Sequence, residues 1–273
     1  MADTNTFTRG TTSMIEGTYS IEANWVINKL CNYHCTYCWS RSDVEQAGVL
    51  TLTPLQYADF FDRSNRTWML CITGGEPFVY AKVVDVMEAI TENHFISINT
   101  NGSQTQRIND FVKRVRPSRV QSIHIGLHPA ERTGTDGWKT LIENIRVLKQ
   151  HGFEVFASAV MAPQVILQFP RAYALMMKDA DCVLLPKLLR DATYPKAYTF
   201  SEQALIESYI DRILSDFPDL KDRPYTVNPI HDRDYVSGFP DFRDTTAARE
   251  WILCGSTSGG RSGGVSSRNA SEI

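Results

Sequence analysis

Apolar and polar positions along the chain alternate between two periods. Short apolar runs that read as strands are Ile21 to Leu30, Trp68 to Thr73, Phe95 to Asn99, Val120 to Leu127, Phe153 to Met161 and Cys182 to Leu185. Each is followed by a stretch with helical spacing: Pro54 to Ser64, Val79 to Asn93, Gln104 to Arg116, Trp138 to Gln150, Val165 to Asp179 and Ser201 to Phe217. Thr53 and Pro54 suit an N-cap and the first helical turn. Six βα units with short connections predict an α/β fold with parallel strands and right-handed crossovers. The pattern fits an open doubly wound sheet or a partial barrel. In both, the active site lies at the carboxyl ends of the strands, so unusual residues there carry the most information.

The same reading divides the chain into an N-terminal extension over 1–20, a core over 21–217, a C-terminal extension over 218–254 and a tail over 255–273. Eleven of the nineteen tail residues are Gly or Ser. Such a segment buries too little to offset its ordering entropy, and disorder is expected there.

Composition narrows the class. The 273 residues are 42% hydrophobic and 22% charged, an ordinary globular mix. A net charge of −3 with no Lys/Arg block argues against a nucleic-acid partner. No run approaches the ~20 apolar residues of a membrane span. The first residues lack the basic-then-apolar pattern of a secretory signal. A cytoplasmic protein is expected.

Three of the six cysteines fall within eight residues: Cys31, Cys35 and Cys38, directly after the first strand. Such clustering in a reducing compartment points to metal rather than disulfides. A structural zinc ion takes four protein ligands and a [4Fe–4S] cluster usually takes four cysteines. Three thiolates on a cluster leave one iron open, and an open iron suggests chemistry. His34, inside the loop, would instead complete a Cys₃His zinc or iron–sulfur binding module without turnover.

The C-x₃-C-x₂-C spacing resembles the radical S-adenosylmethionine (SAM) superfamily. Gly74-Gly75-Glu76-Pro77 after the second strand is similar to its GGEP motif, and Thr100-Asn101-Gly102 after the third is similar to its TNG element. The resemblance covers roughly residues 20–215. It implies a partial (β/α)₆ barrel related to SPASM/twitch-type members. It also implies a [4Fe–4S] cluster on Cys31, Cys35 and Cys38, with SAM chelating the open iron. SAM would be held by Tyr37, Gly74, Gly75, Glu76, Pro77, Asn99, Asn101, Gly126, Ser158 and Leu185. The glycines would let backbone approach closely, and Glu76 would accept from the SAM ammonium.

The resemblance further implies reductive cleavage of SAM to a 5′-deoxyadenosyl radical that abstracts hydrogen from a natural-product or peptide substrate. The electron would come from a flavodoxin- or ferredoxin-type donor. Transfer of SAM's 3-amino-3-carboxypropyl group uses the same ligands and remains an alternative. Gly126 stands where the family often has Ser, and the His128-Pro129 ending resembles a subgroup. Alternation places His124, Gly126 and His128 on one face. His128 is the candidate for a catalytic or substrate contact, and His124 lies deeper. Met161 is a further candidate facing SAM, and Lys187 and Arg190 could meet an anionic group. Cys71 and Cys182 read as buried small hydrophobes. Cys254-Gly255 sits where relatives begin an auxiliary-cluster domain, but no cysteine follows it.

Overall fold

The computed structural model describes residues 17–38, 52–132, 134–189, 197–218 and 220. Its strands are β1 (Ile21–Asn28), β2 (Trp68–Gly74), β3 (Phe95–Thr100), β4 (Val120–Gly126), β5 (Val155–Val160) and β6 (Leu184–Lys187). They form one parallel sheet in the order β1-β2-β3-β4-β5-β6. Consecutive neighbours, with a helical crossover between each pair, make the partial barrel the sequence implies; β1 and β6 do not pair, so it stays open.

The helices are α1 (Pro54–Asp62), α2 (Val83–Thr91), α3 (Thr105–Arg114), α4 (Gly134–Gln150), α5 (Pro163–Ile166), α6 (Phe169–Leu175) and α7 (Phe200–Asp216). Thr53 caps α1 as expected, with its hydroxyl accepting from Gln56 N and Gln56 accepting from Thr53 N. The single helix expected over Val165 to Asp179 is broken into α5, α6 and a π-helical turn over Met176–Ala180. Pro170 supplies the reason for the first break. It cannot donate into a helix continuing from α5 and instead sits in the opening turn of α6. The strand expected over Cys182 to Leu185 is shifted to Leu184–Lys187, and Pro186 is tolerated because β6 is an edge strand.

The two faces of the sheet differ in chemistry. Ile27, Leu70, Ile72, Ile96, Ile98, Ile123, Ile125 and Ala157 point outward and are buried with the helices in one core. Cys71 and Cys182 are fully buried, as expected for small hydrophobes. On the inner face, Glu22, Asn24, Thr73, Asn99, His124 and Lys187 are all only partly buried. The inner face is therefore mixed: these polar groups are partly exposed, while Met69, Cys71 and Phe95 on the same face are buried.

Candidate active site at the strand carboxyl ends

The segment after β1 carries Cys31 half-buried, Cys35 buried and Cys38 exposed. Cys38 N donates to Cys35 O at 3.1 Å, and Tyr33 N donates to Cys31 Sγ at 3.4 Å. Burial pushes the Cys35 thiol up to about 11, with Glu131 adding to the effect, and burial raises Cys31 as well. A bound metal would reverse this by deprotonating the thiols outright. His34 is exposed. Among the described residues no three His, Cys, Asp or Glu side chains converge on one point. Cluster ligation places each thiolate on a different iron.

The glycine turn after β2 is locked onto this segment. Gly75 N donates to Asn28 O at 2.9 Å, and Glu76 N donates to Leu30 O at 2.7 Å. Gly74 has φ +136°, and a Cβ there would lie 2.1 Å from Asn28 O; one at Gly75 would lie 2.0 Å from Leu30 O. Both contacts are with backbone, so only glycine fits. The close approach expected of these glycines is thus made to the cysteine segment itself. Pro77 is buried and opens the short 3₁₀ turn Pro77–Val79.

Glu76 ties three strand ends together. Its Oε1 accepts from Phe78 N (3.0 Å) and Thr100 Oγ1 (2.6 Å), and its Oε2 accepts from Asn101 N (2.6 Å). Its carbonyl accepts from Asn28 Nδ2 at 3.0 Å. Burial raises its pKa, and the three donors oppose that shift. A carboxylate offers about four acceptor sites, so about one is left for a ligand. Asn101 is similarly engaged: its Nδ2 donates to Asn32 Oδ1 at 3.0 Å and its Oδ1 accepts from Ser103 N at 2.9 Å.

His128 has φ +31° and ψ +66°, a left-handed conformation that turns its ring back over β4. Nδ1 lies 3.0 Å from Tyr37 Oη and 3.3 Å from Cys35 Sγ. The Tyr37 ring stacks parallel at 6.1 Å, and Tyr33 approaches edge-on at 5.9 Å. Burial pulls the imidazole down to about 4, helped by the charges of Arg132 and Lys187. Burial raises the Tyr37 phenol. The structure therefore brings His128, Tyr37 and Cys35 together. Leu185 and Met161 are buried, and Ser158 and Asn99 both bond to His124. Arg190 and Cys254 lie outside the described residues.

Arg132 escaped the sequence reading. Buried beneath the site, it donates from Nε to Leu127 O (3.1 Å), from Nη1 to Tyr33 Oη (3.0 Å), and from Nη2 to Gly126 O (3.2 Å) and Asn101 O. It thus ties the ends of β3 and β4 to the cysteine segment. No motif marks it, because an isolated Arg in a loop reads as a surface residue. Inside the TNG string it is the Thr100 hydroxyl that joins Glu76 to Gly102 N. Asn28 was missed too, and its Oδ1 is buried with no partner among the described residues.

Comparison with known proteins decides the family. The Radical SAM superfamily profile matches residues 25–168, more than half of the chain. The chain belongs to the Radical SAM superfamily. The fold agrees with that of solved radical SAM structures. The structure described as "Native anSMEcpe with bound AdoMet and Kp18Cys peptide" matches at a TM-score of 0.56 and 14% identity, over 73% of this chain and 61% of that one. Streptococcus suis SuiB bound to the precursor peptide SuiA matches at 0.52 and 13%, over 72% and 46%. The radical SAM chain described here thus spans about three fifths or less of the length of these neighbours.

As a member of this superfamily the protein is an enzyme whose cofactors are a [4Fe–4S] cluster and SAM. Its residues fit both. Three soft thiolates in one segment suit iron–sulfur ligation. The orphaned Asn28 Oδ1, at the base of that segment beside the glycine turn, is an acceptor that an ammonium group would satisfy. No described helix is long and apolar enough to cross a membrane.

Proposed function

We propose that the protein abstracts hydrogen from a peptide or related natural-product substrate held in the barrel interior. The observation that carries this reading is the clamp of Gly75 N and Glu76 N on Asn28 O and Leu30 O. It supports a cluster on Cys31, Cys35 and Cys38 at the mouth of the barrel, with SAM against the glycine turn. Bound there, SAM would supply the chemistry, one-electron reductive cleavage to methionine and 5′-deoxyadenosine with a hydrogen atom taken from the substrate. The cluster and SAM bring that chemistry. The protein's residues bind, orient and exclude.

Glu76, Thr100 and Asn101 hold the glycine turn and the TNG turn at fixed spacing, so the backbone facing SAM is preorganised. Gly74, Gly75 and Pro77 shape that edge, and Asn28 Oδ1 and the remaining Glu76 lone pair accept from the ammonium. Tyr37, Gly126 and Leu185 border the nucleoside. His128, neutral and packed on Tyr37, covers the cysteine segment from the β4 side. A flavodoxin- or ferredoxin-type protein supplies the electron. Both neighbouring proteins were solved with peptides bound, which favours a peptide substrate.

The products of SAM cleavage test the reading. Anaerobic enzyme with dithionite and SAM is expected to release 5′-deoxyadenosine and methionine. Methylthioadenosine in their place would move aminocarboxypropyl transfer to first position.

A further inference from the structure

Three polar side chains cross the barrel interior as one hydrogen-bonded chain. His124 Nδ1 lies 2.7 Å from Asn99 Oδ1, and His124 Nε2 lies 2.6 Å from Ser158 Oγ. Asn99 and His124 are register partners on β3 and β4, and Ser158 is the register partner of Gly126 on β5. The His124 ring also stacks on Phe156 at 4.8 Å and 13°. The chain has a direction. An amide oxygen accepts only, so Nδ1 carries the proton; Nε2 is then bare and takes the Ser158 proton. Burial, with Lys187 and His128 nearby, pulls His124 down to about 3, which agrees with a neutral ring.

This direction fixes what remains unspent. Asn99 Nδ2 keeps two N–H donors with no partner among the described residues. Ser158 Oγ has given away its only proton and keeps lone pairs. The interior therefore offers donors on β3 and an acceptor on β5. A carboxylate meets lone pairs at Ser158, and an ammonium meets N–H groups at Asn99 and the charge of Lys187. The two bonds and the ring between them set these groups roughly 7 Å apart. A hydroxyl, with donor and acceptor on one atom, does not span that distance. A trans amide points its C=O and N–H in opposite directions and spans it with bonds of about 2.9 Å at either end.

We propose that the Asn99–His124–Ser158 chain is a subsite for a secondary amide of the substrate, with His124 the positioning residue that sets the direction of both contacts. The inference rests on the proposed function only in taking the barrel interior as the substrate site. The test uses the full chain with ¹⁵N-labelled histidine and asparagine, and N-methylacetamide, acetate and methylammonium as probes.

The expected result is a neutral Nδ1–H tautomer for His124 at pH 7. N-methylacetamide should shift the His124 and Asn99 side-chain signals, while acetate and methylammonium should not. Ser158→Ala should weaken that response about tenfold, the loss of one contact at a site holding a buried polar group. It deletes a single oxygen, so it keeps the test usable if His124→Phe does not fold. His124→Gln, which can bridge both neighbours, should retain more of the response than His124→Phe. An imidazolium or Nε2–H tautomer, a response to acetate instead, or an unchanged response in Ser158→Ala would each overturn the proposal. None of these signals depends on SAM cleavage, so absent deoxyadenosine would count against the radical reading alone.

Discussion

The His128 imidazole occupies the space that a side chain at Gly126 would need: a Cβ at position 126 would lie 2.3 Å from His128 Nε2. The glycine and the folded-back histidine are one structural choice, made possible by the left-handed conformation at His128. It explains the glycine where the family often has serine. A serine hydroxyl and this ring cannot share the site.

Gly126→Ala should therefore destabilise the protein by about 1–2 kcal/mol through overpacking. In a His128→Ala background the same change should cost little. Thermal melts of the four proteins in this double-mutant cycle measure the coupling, which additive effects would contradict.

The glycine turn predicts a harsher outcome. Gly75→Ala drives its Cβ against Leu30 O, which is backbone and cannot rotate away. We expect a loss of about 2 kcal/mol or more and reduced iron uptake on reconstitution. Iron content and melting temperature, measured on the same preparation, check both parts.

Much of this was legible in the sequence, for identifiable reasons. The six strands announced themselves because their outward positions are apolar at nearly every second residue, and each motif follows one of them. Boundaries slipped where a proline or an unseen cap decided them: Pro170 split the fifth helix, and Thr199 with Glu202 started α7 one residue early. Candidate site residues were legible where they sat in a motif or near the carboxyl end of a strand. Arg132 and Asn28 act through carbonyls and neighbours distant in sequence, and no local pattern encodes that. Glu76 was found, but its three internal donors depend on how β2 and β3 meet.

Arg132→Met should be costly. It leaves the carbonyls of Asn101, Gly126 and Leu127 and the Tyr33 hydroxyl without their donor. A loss on the order of 2–4 kcal/mol is expected from several unsatisfied groups. Arg132→Lys should recover only part of it, because one ammonium cannot reproduce the fork. Urea titration of the three proteins gives the comparison.

The pH dependence of stability follows from His124. Its pKa falls from 6.5 to about 3 on folding. The unfolded chain thus takes up a proton that the folded chain refuses as pH drops below about 6.5, so stability is full above that value and is lost progressively towards pH 3. His124→Gln removes this contribution. The difference in unfolding free energy between wild type and variant should shrink steadily from pH 7 to pH 4. A constant difference would show that His124 titrates normally.

We propose that Cys31, Cys35 and Cys38 hold a cluster with an iron open to SAM beside the glycine turn. Electron paramagnetic resonance of the anaerobically reconstituted, dithionite-reduced protein tests it most directly, recorded with and without SAM. About four irons per chain are expected, with a reduced-cluster signal whose g-values move when SAM is added. Cys35→Ala should abolish that signal. A signal indifferent to SAM, or zinc in place of iron, would contradict it.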